Sequence, residues 1–282
     1  VLFIPLKQAV SCLTYELNSK NALKINLSLL NQGISTVSAD PSNRLFLRAE
    51  VRDGSGNTVE MAHIKFYVSS GEGEIYTNSN RTDKFGECLA SYIPPVSPPI
   101  EAGDVSSKVV IKAELYGTSI SSSIEINLIR TPVVFIHGYQ ASGAVFVNME
   151  EFLNSRGFES TAFTYKSENG VAEGAAELNS FLLSLKADYQ SRGIQVGKFD
   201  VIAHSMGGLV ARYYTGSSSY IYNNNIRKMI FISVPHHGSH VASLGMSYFN
   251  DKAISDLVPD NELFTYIYPS MINKGLNSTV QV

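Results

Sequence analysis

The chain has 282 residues, 44% hydrophobic and 17% charged, enough apolar matter for packed cores and too little charge for a disordered chain or a coiled coil. Lys and Arg number 22 against 25 Asp and Glu, a net charge of −3 with no basic block, which disfavours nucleic acid as a partner. At roughly 150 residues per domain the length points to two domains. The longest apolar runs, such as Val1–Leu6 and Pro132–Ile136, fall far short of the about 18 residues of a membrane span.

Two cysteines, Cys12 and Cys88, make no disulfide scaffold; one bridge and two buried thiols both stay open. From about Leu23 to Ile129 the sequence alternates with period two. Leu23, Ile25, Leu27 and Leu29 begin it, and Leu45, Leu47, Ala49 and Val51 repeat it with Arg48 and Glu50 on the other side. Ile64, Phe66 and Val68 follow, then Val109 to Leu115 and Ile124 to Leu128. Alternate residues of a strand face opposite sides, so these runs predict half-buried strands. Turn chemistry at Asp53-Gly54-Ser55-Gly56-Asn57 and Thr82-Asp83-Lys84-Phe85-Gly86 separates them, and Pro94 to Pro99 break the segment before Val109. Short strands with no helix between them predict an all-β sandwich over residues 1–130, with 1–30 fitting least well. His63 has no ligand cluster around it and reads as a surface or packed imidazole.

The pattern changes at Arg130-Thr131-Pro132. Pro132–Ile136 is continuously apolar, suited to a parallel strand buried on both faces. A helix is predicted around Val145–Asn154, a strand near Ser160–Tyr165 and an amphipathic helix over Val171–Gln190. A strand at Phe199–Ala203, a helix at Met206–Tyr214 and a strand at Lys228–Val234 follow. This alternation predicts an α/β domain over 131–282 with a mostly parallel sheet, joined to the first domain by only a few residues.

Chemistry concentrates at Ala203-His204-Ser205-Met206-Gly207-Gly208, between a predicted strand and a predicted helix. This is a G-x-S-x-G nucleophile elbow with Ala in the first Gly position. The turn is so tight that only small residues fit two before and two after the serine, and it lifts Oγ above the sheet edge. The helix beginning at Met206 aims its free N–H groups at the same spot. Upstream, Ile136-His137-Gly138-Tyr139-Gln140 places a His-Gly turn at the end of a strand. The N–H groups of Met206 and Tyr139 would converge on a developing alkoxide there. His137 and His204 neighbour the turn and read as loop-holding residues.

Two resemblances rest on these strings. The run LRAEVRDGSGNTVEMAHIKFYVSSGEGEIYTNSNRTDKFGECLASY resembles bacterial Ig-like domains of the invasin and intimin type, over about Ser38–Arg130. It implies a domain that spaces or presents its neighbour. PVVFIHGYQAS, FDVIAHSMGGLVARYY and ISVPHHGS together resemble bacterial lipases and carboxylesterases of the α/β-hydrolase fold, over about Pro132–Ser239. The elbow Ala is similar to that of small Bacillus lipases, and Pro235-His236-His237-Gly238-Ser239 to the T-P-H-x-G-S loop of larger ones, with Val234 in place of Thr. By position this makes Ser205 the acyl nucleophile, Tyr139 and Met206 the oxyanion donors, and His236 and His237 loop residues. It implies an ester or lipid substrate, contact with a lipid interface and a secreted or cell-surface location. A surface-binding protein with a degenerate hydrolase domain is the alternative from another class. A thioesterase, amidase or acyltransferase could use the same elbow.

The triad of this fold runs Ser, then acid, then His along the chain. After Ser205 the acids are Asp251, Asp256, Asp260 and Glu262, whereas the last histidine is His240. Pro132–Val282 is short for the fold, and Leu276–Val282 reads as a strand just beginning. The acid and base are therefore expected in segments outside the given chain. The competing order pairs His236, His237 or His240 with Asp251, Asp256 or Asp260. Those three histidines have no acid or cysteine close by, and no Asp-rich loop offers the structural calcium known in similar lipases, so no metal or cofactor is expected. Tyr213, Tyr214, Tyr220, Tyr222, Phe249 and Leu257 are candidates for an acyl pocket or lid, with core packing the more ordinary role for each.

Overall fold

A computed structural model describes Leu23–Met271, so Cys12 and the strand expected at Leu276–Val282 lie outside the described residues. The chain divides into two compact units, one of Val1–Pro99 and Ser107–Leu128, the other of Ile100–Ser106 and Ile129–Val282.

The first unit holds strands β1 (Lys24–Leu29), β2 (Thr36–Ser38), β3 (Leu45–Arg52), β4 (Ile64–Ser70), β5 (Glu74–Tyr76), β6 (Glu87–Ile93), β7 (Ser106–Leu115) and β8 (Ser121–Ile129). One sheet runs β1-β3-β6-β5 with antiparallel pairing, and the other contains β2-β8-β7-β4 in that order. Period two is obeyed closely in β3. Leu45, Leu47, Ala49 and Val51 are fully buried while Phe46 between them is 52% exposed. Opposite them Leu27 pairs with Ala49 and Leu47 with Ala90, and the inward residues of both sheets share one core with Val109, Ile111, Ala113 and Leu128. The two predicted turns use one device. Asp53 Oδ1 accepts the N–H groups of Ser55 and Asn57, and Asp83 Oδ1 those of Phe85 and Glu87. His63 stacks on Tyr116 at 4.5 Å and bonds Asn80. Cys88 is buried in the core, where burial pushes its thiol up to about 11.

The second unit holds β9 (Val133–Ile136), α1 (Val147–Asn154), β10 (Ser160–Phe163), α2 (Val171–Ser191), β11 (Ile194–Gln195), β12 (Phe199–His204), α3 (Met206–Gly216), β13 (Ile226–Ile232), α4 (His240–Gly245) and α5 (Lys252–Leu257). Its sheet is parallel in the order β10-β9-β12-β13. All four residues of β9 are buried, as an interior parallel strand demands. Val171, Ala175, Leu178 and Leu182 of α2 pack with Leu209 and Val210 of α3 in one core with Val134, Ile136 and Val201. Val133 and Phe135 point the other way and meet Phe146, Leu153 and Phe158.

Three of the boundaries that differ from the sequence reading have a clear local reason. The first helix starts at Val147 because Gly143–Phe146 tightens into a 3₁₀ turn, with the Ser142 hydroxyl accepting the Ala144 N–H. Strand β13 ends at Ile232 because Ser233 turns to φ +50°. Ile100–Ser106 belongs with the second unit, where the Arg130 guanidinium donates to the carbonyls of Ile100, Glu101, Asp104 and Gly157.

Candidate active site

The order of the parallel sheet locates the site. From β9 the chain moves outward to β10, whereas from β12 it moves the opposite way to β13. The loops leaving the C-terminal ends of β9 and β12 therefore part and leave a crevice between them. Ala203 pairs with Ile136, so His-Gly-Tyr and His-Ser-Met emerge side by side.

Ser205 occupies this junction at φ 53° and ψ −129°, a conformation an L-residue adopts only when its surroundings hold it. Its N–H donates to the Ile232 carbonyl at 2.9 Å, and its own carbonyl accepts the Gly208 N–H at 3.0 Å. The small residues around it have specific reasons. A Cβ on Gly207 would lie 2.4 Å from the His137 carbonyl oxygen and 2.5 Å from that of Ile136. One on Gly208 would lie 2.2 Å from a Val234 methyl. The elbow helix is thus seated against the end of β9 with no room for a methyl group.

Gly138 faces the serine directly: a Cβ there would stand 2.8 Å from Ser205 Cβ and 3.3 Å from Oγ. Both residues, with Tyr139, His204, Pro235 and Ser239, line a cleft of about 500 Å³. Its remaining walls are largely apolar, from Val241, Ala242, Phe249, Ile254 and Leu257. Met206 is fully buried as the first residue of α3, so only its backbone N–H could serve a ligand. That N–H is one of the four a helix cannot satisfy internally.

The His-Gly loop is held from several sides. His137 is completely buried and its Nε2 accepts the Tyr165 N–H at 3.3 Å, so Nδ1 carries the proton and donates to the Gly138 carbonyl at 2.8 Å. Burial pushes its pKa down, and both nitrogens are occupied in holding the loop. The Gln140 N–H donates to the buried Ser167 hydroxyl at 2.9 Å. The Tyr139 hydroxyl donates to Asp251.

Among the described residues no histidine is paired with a carboxylate, and no group of three or more His, Cys, Asp or Glu gathers as a metal set would. His204 lines the cleft and is exposed, as are His237 and His240. His236 lies edge-on to Phe231, and its pKa is lowered by burial, then by Arg212 and His237. Asp260 is exposed. Asp251 caps α5, its Oδ1 accepting the Ile254 N–H at 2.9 Å. Asp256 is 4% exposed and accepts the Val171 N–H at 2.8 Å, setting its charge at the N-terminus of the long helix α2. Its other oxygen meets Lys252. Of the acyl-pocket candidates, Phe249 and Leu257 reach the cleft wall, whereas Tyr214 packs in the core.

Sequence reasoning missed Arg212. Its guanidinium lies 3.9 Å above the buried Tyr268 ring and donates to the His236 carbonyl at 3.1 Å, tying the Pro-His-His loop to α3. A signal was present: Arg212 follows Leu209, Val210 and Ala211, all buried, on a helix with few outward positions.

A family model described as the PGAP1-like alpha/beta domain matches residues 171–251, from the first turn of α2 through Ser205 to Asp251. No curated protein sequence matches the chain. Among solved structures the chain is similar to Bacillus licheniformis lipase BlEst2 in its propeptide form, at 21% identity and a TM-score of 0.39, over 46% of this chain and 30% of that one. It is similar to phospholipase PlaB from Legionella pneumophila at 18% identity and a TM-score of 0.42, over 50% of this chain and 35% of that one. The D00-D0 domain of Intimin is similar at 14% identity and a TM-score of 0.30, over 37% of this chain and 46% of that one. The chain spans less than half the length of each of these structures.

Proposed function

We propose that the second unit is an α/β-hydrolase acting on carboxylic esters of lipids, with Ser205 as the acyl nucleophile. The observation that carries this reading is the strained Ser205 at the junction of β12 and α3, opening on a cleft beside Gly138. Ser205 Oγ attacks the ester carbonyl as a general base removes its proton. The N–H groups of Met206 and Tyr139 hold the oxyanion, the alcohol leaves with a proton, and water releases the acid from the acyl-enzyme.

The walls support a lipid acyl chain as the occupant. Val241 of the cleft wall is 75% exposed, and Leu244 and Tyr248, close to it in sequence, are 73% and 86% exposed, apolar surface suited to hydrocarbon. No Asp, Glu, Lys or Arg occurs between Lys228 and Asp251. The first unit, in this reading, is an Ig-like spacer that presents the hydrolase at a cell surface or in secretion.

Fluorophosphonate labelling tests the nucleophile. The probe is expected on Ser205 and lost in Ser205→Ala, and labelling that survives the substitution overturns the reading. A second reading, a binding protein with an inactive hydrolase-like unit, draws on the lack of a His–carboxylate pair among the described residues. Absence of both labelling and nitrophenyl-ester turnover would favour it.

A further inference from the structure

The hydroxyl of Tyr139 is not free to meet a substrate. It donates to Asp251 Oδ2, across 112 positions of sequence, while Oδ1 of the same carboxylate accepts the Ile254 N–H. The carboxylate is therefore fixed by the first turn of α5, whose Ile254 and Leu257 form part of the cleft wall. The phenol oxygen also accepts from Gln140 Nε2 at 3.1 Å, and the ring meets Phe249 edge-on at 6.5 Å. Burial, then the bond to Asp251, pushes the Tyr139 hydroxyl up to about 12, so it keeps its proton and stays a donor throughout the neutral range.

Tyr139 is also the residue after Gly138, in the loop that faces Ser205. Gln140 beyond it sits at φ +48°, so the loop cannot relax freely on that side. We infer that Asp251 is a positioning residue for the proposed ester hydrolysis: by gripping the Tyr139 hydroxyl, it holds the Tyr139 N–H at the oxyanion position. This rests on the reading of Ser205 as nucleophile. It also gives the Tyr139 side chain a task that sequence assigned only to its backbone, and it ties one apolar wall of the cleft to the oxyanion loop.

The test uses the full chain, with nitrophenyl butyrate turnover normalised to Ser205 titrated by a fluorophosphonate. Tyr139→Phe keeps the ring and N–H and removes the grip. Asp251→Ser keeps a helix cap and is too short to reach the phenol. A lost oxyanion donor costs about 10²–10³ in kcat, and a loosened one is expected to cost less, about tenfold, with KM within about twofold. The phosphonylation rate should fall by the same factor. The double variant should be no slower than the slower single one, because both changes break one bond. Asp251→Asn, which can cap with its oxygen and still bond the phenol through its amide, should recover most of the rate. Unchanged kcat in both single variants, or losses that simply multiply in the double, overturns the inference while leaving the nucleophile in place. A wild-type chain that is not labelled at Ser205 removes the reading beneath it, and the positioning role falls with that reading.

Discussion

Gly138→Ala probes the contact on which the site depends most directly. The added Cβ would stand 2.8 Å from Ser205 Cβ, against an ordinary carbon–carbon contact of about 3.5–4.0 Å. Its distances to Ser205 Oγ, 3.3 Å, and to the His204 carbonyl, 3.4 Å, are tight but ask only small shifts, so the Cβ contact carries most of the overlap. Relief requires Ser205 or the end of β9 to move by about 1 Å. Overpacking of this kind costs about 1–3 kcal/mol. One contact belongs at the lower end, which lowers the melting temperature by about 2–8 °C. Catalysis should suffer out of proportion, since a displacement of about 1 Å at reacting atoms can cost about 10²-fold. The assay is the second-order rate of fluorophosphonate labelling beside a thermal melt followed by circular dichroism. A labelling rate within twofold of wild type would refute the reasoning. So would a melt lowered so far that the lost rate merely reflects unfolded protein.

Three more outcomes follow from the geometry. Gly207→Ala places a methyl 2.4–2.5 Å from two backbone oxygens that cannot rotate aside; against a helix gain of about 1 kcal/mol the net loss should be about 2 kcal/mol in denaturant melts. Asp256→Ala strips the Val171 N–H of its acceptor and should cost about 1–3 kcal/mol while Ser205 labelling persists. Labelling lost in a folded Asp256→Ala protein would instead mark Asp256 as the triad acid. His137 and His236 both have pKa values lowered from the ordinary 6.5 by burial, so the folded chain binds protons less readily than the unfolded one. Stability is therefore full above about pH 6.5 and declines as pH falls below it, and His137→Gln should flatten the decline seen in melts from pH 7.5 to 5.

Much of this was legible in the sequence because it is periodic or local. Alternation in Leu45–Val51 reports one face of a strand, and the five apolar residues from Pro132 report a strand with no exposed face. The Ala203–Gly208 string carries its own steric logic, and Ser205 lies where that logic puts it, between a strand and a helix. What the sequence did not disclose is carried by single bonds between distant residues. Nothing in the spelling of Asp251 or Asp256 tells that one grips Tyr139 and the other the start of α2. Ile100–Ser106 joined the second unit through carbonyl groups, which every residue owns and no pattern marks. Strand β13 ended early through one positive φ at Ser233, a residue type that gives no warning of it.

The seating of Gly207 on the carbonyl groups of Ile136 and His137 bears on how the Ser205 turn comes into being during folding. The surface that compresses the elbow belongs to β9, far upstream, so the elbow has no mould until β9 and β12 have paired. Closing that loop is an entropic step that local helix formation cannot replace. A nascent chain with β12 already extended and α3 already helical would carry the AHSMGG string with Ser205 relaxed out of its left-handed turn. A peptide of residues 196–218 should accordingly ignore fluorophosphonate, and addition of a fragment that supplies β9 is the step at which reactivity would first arise.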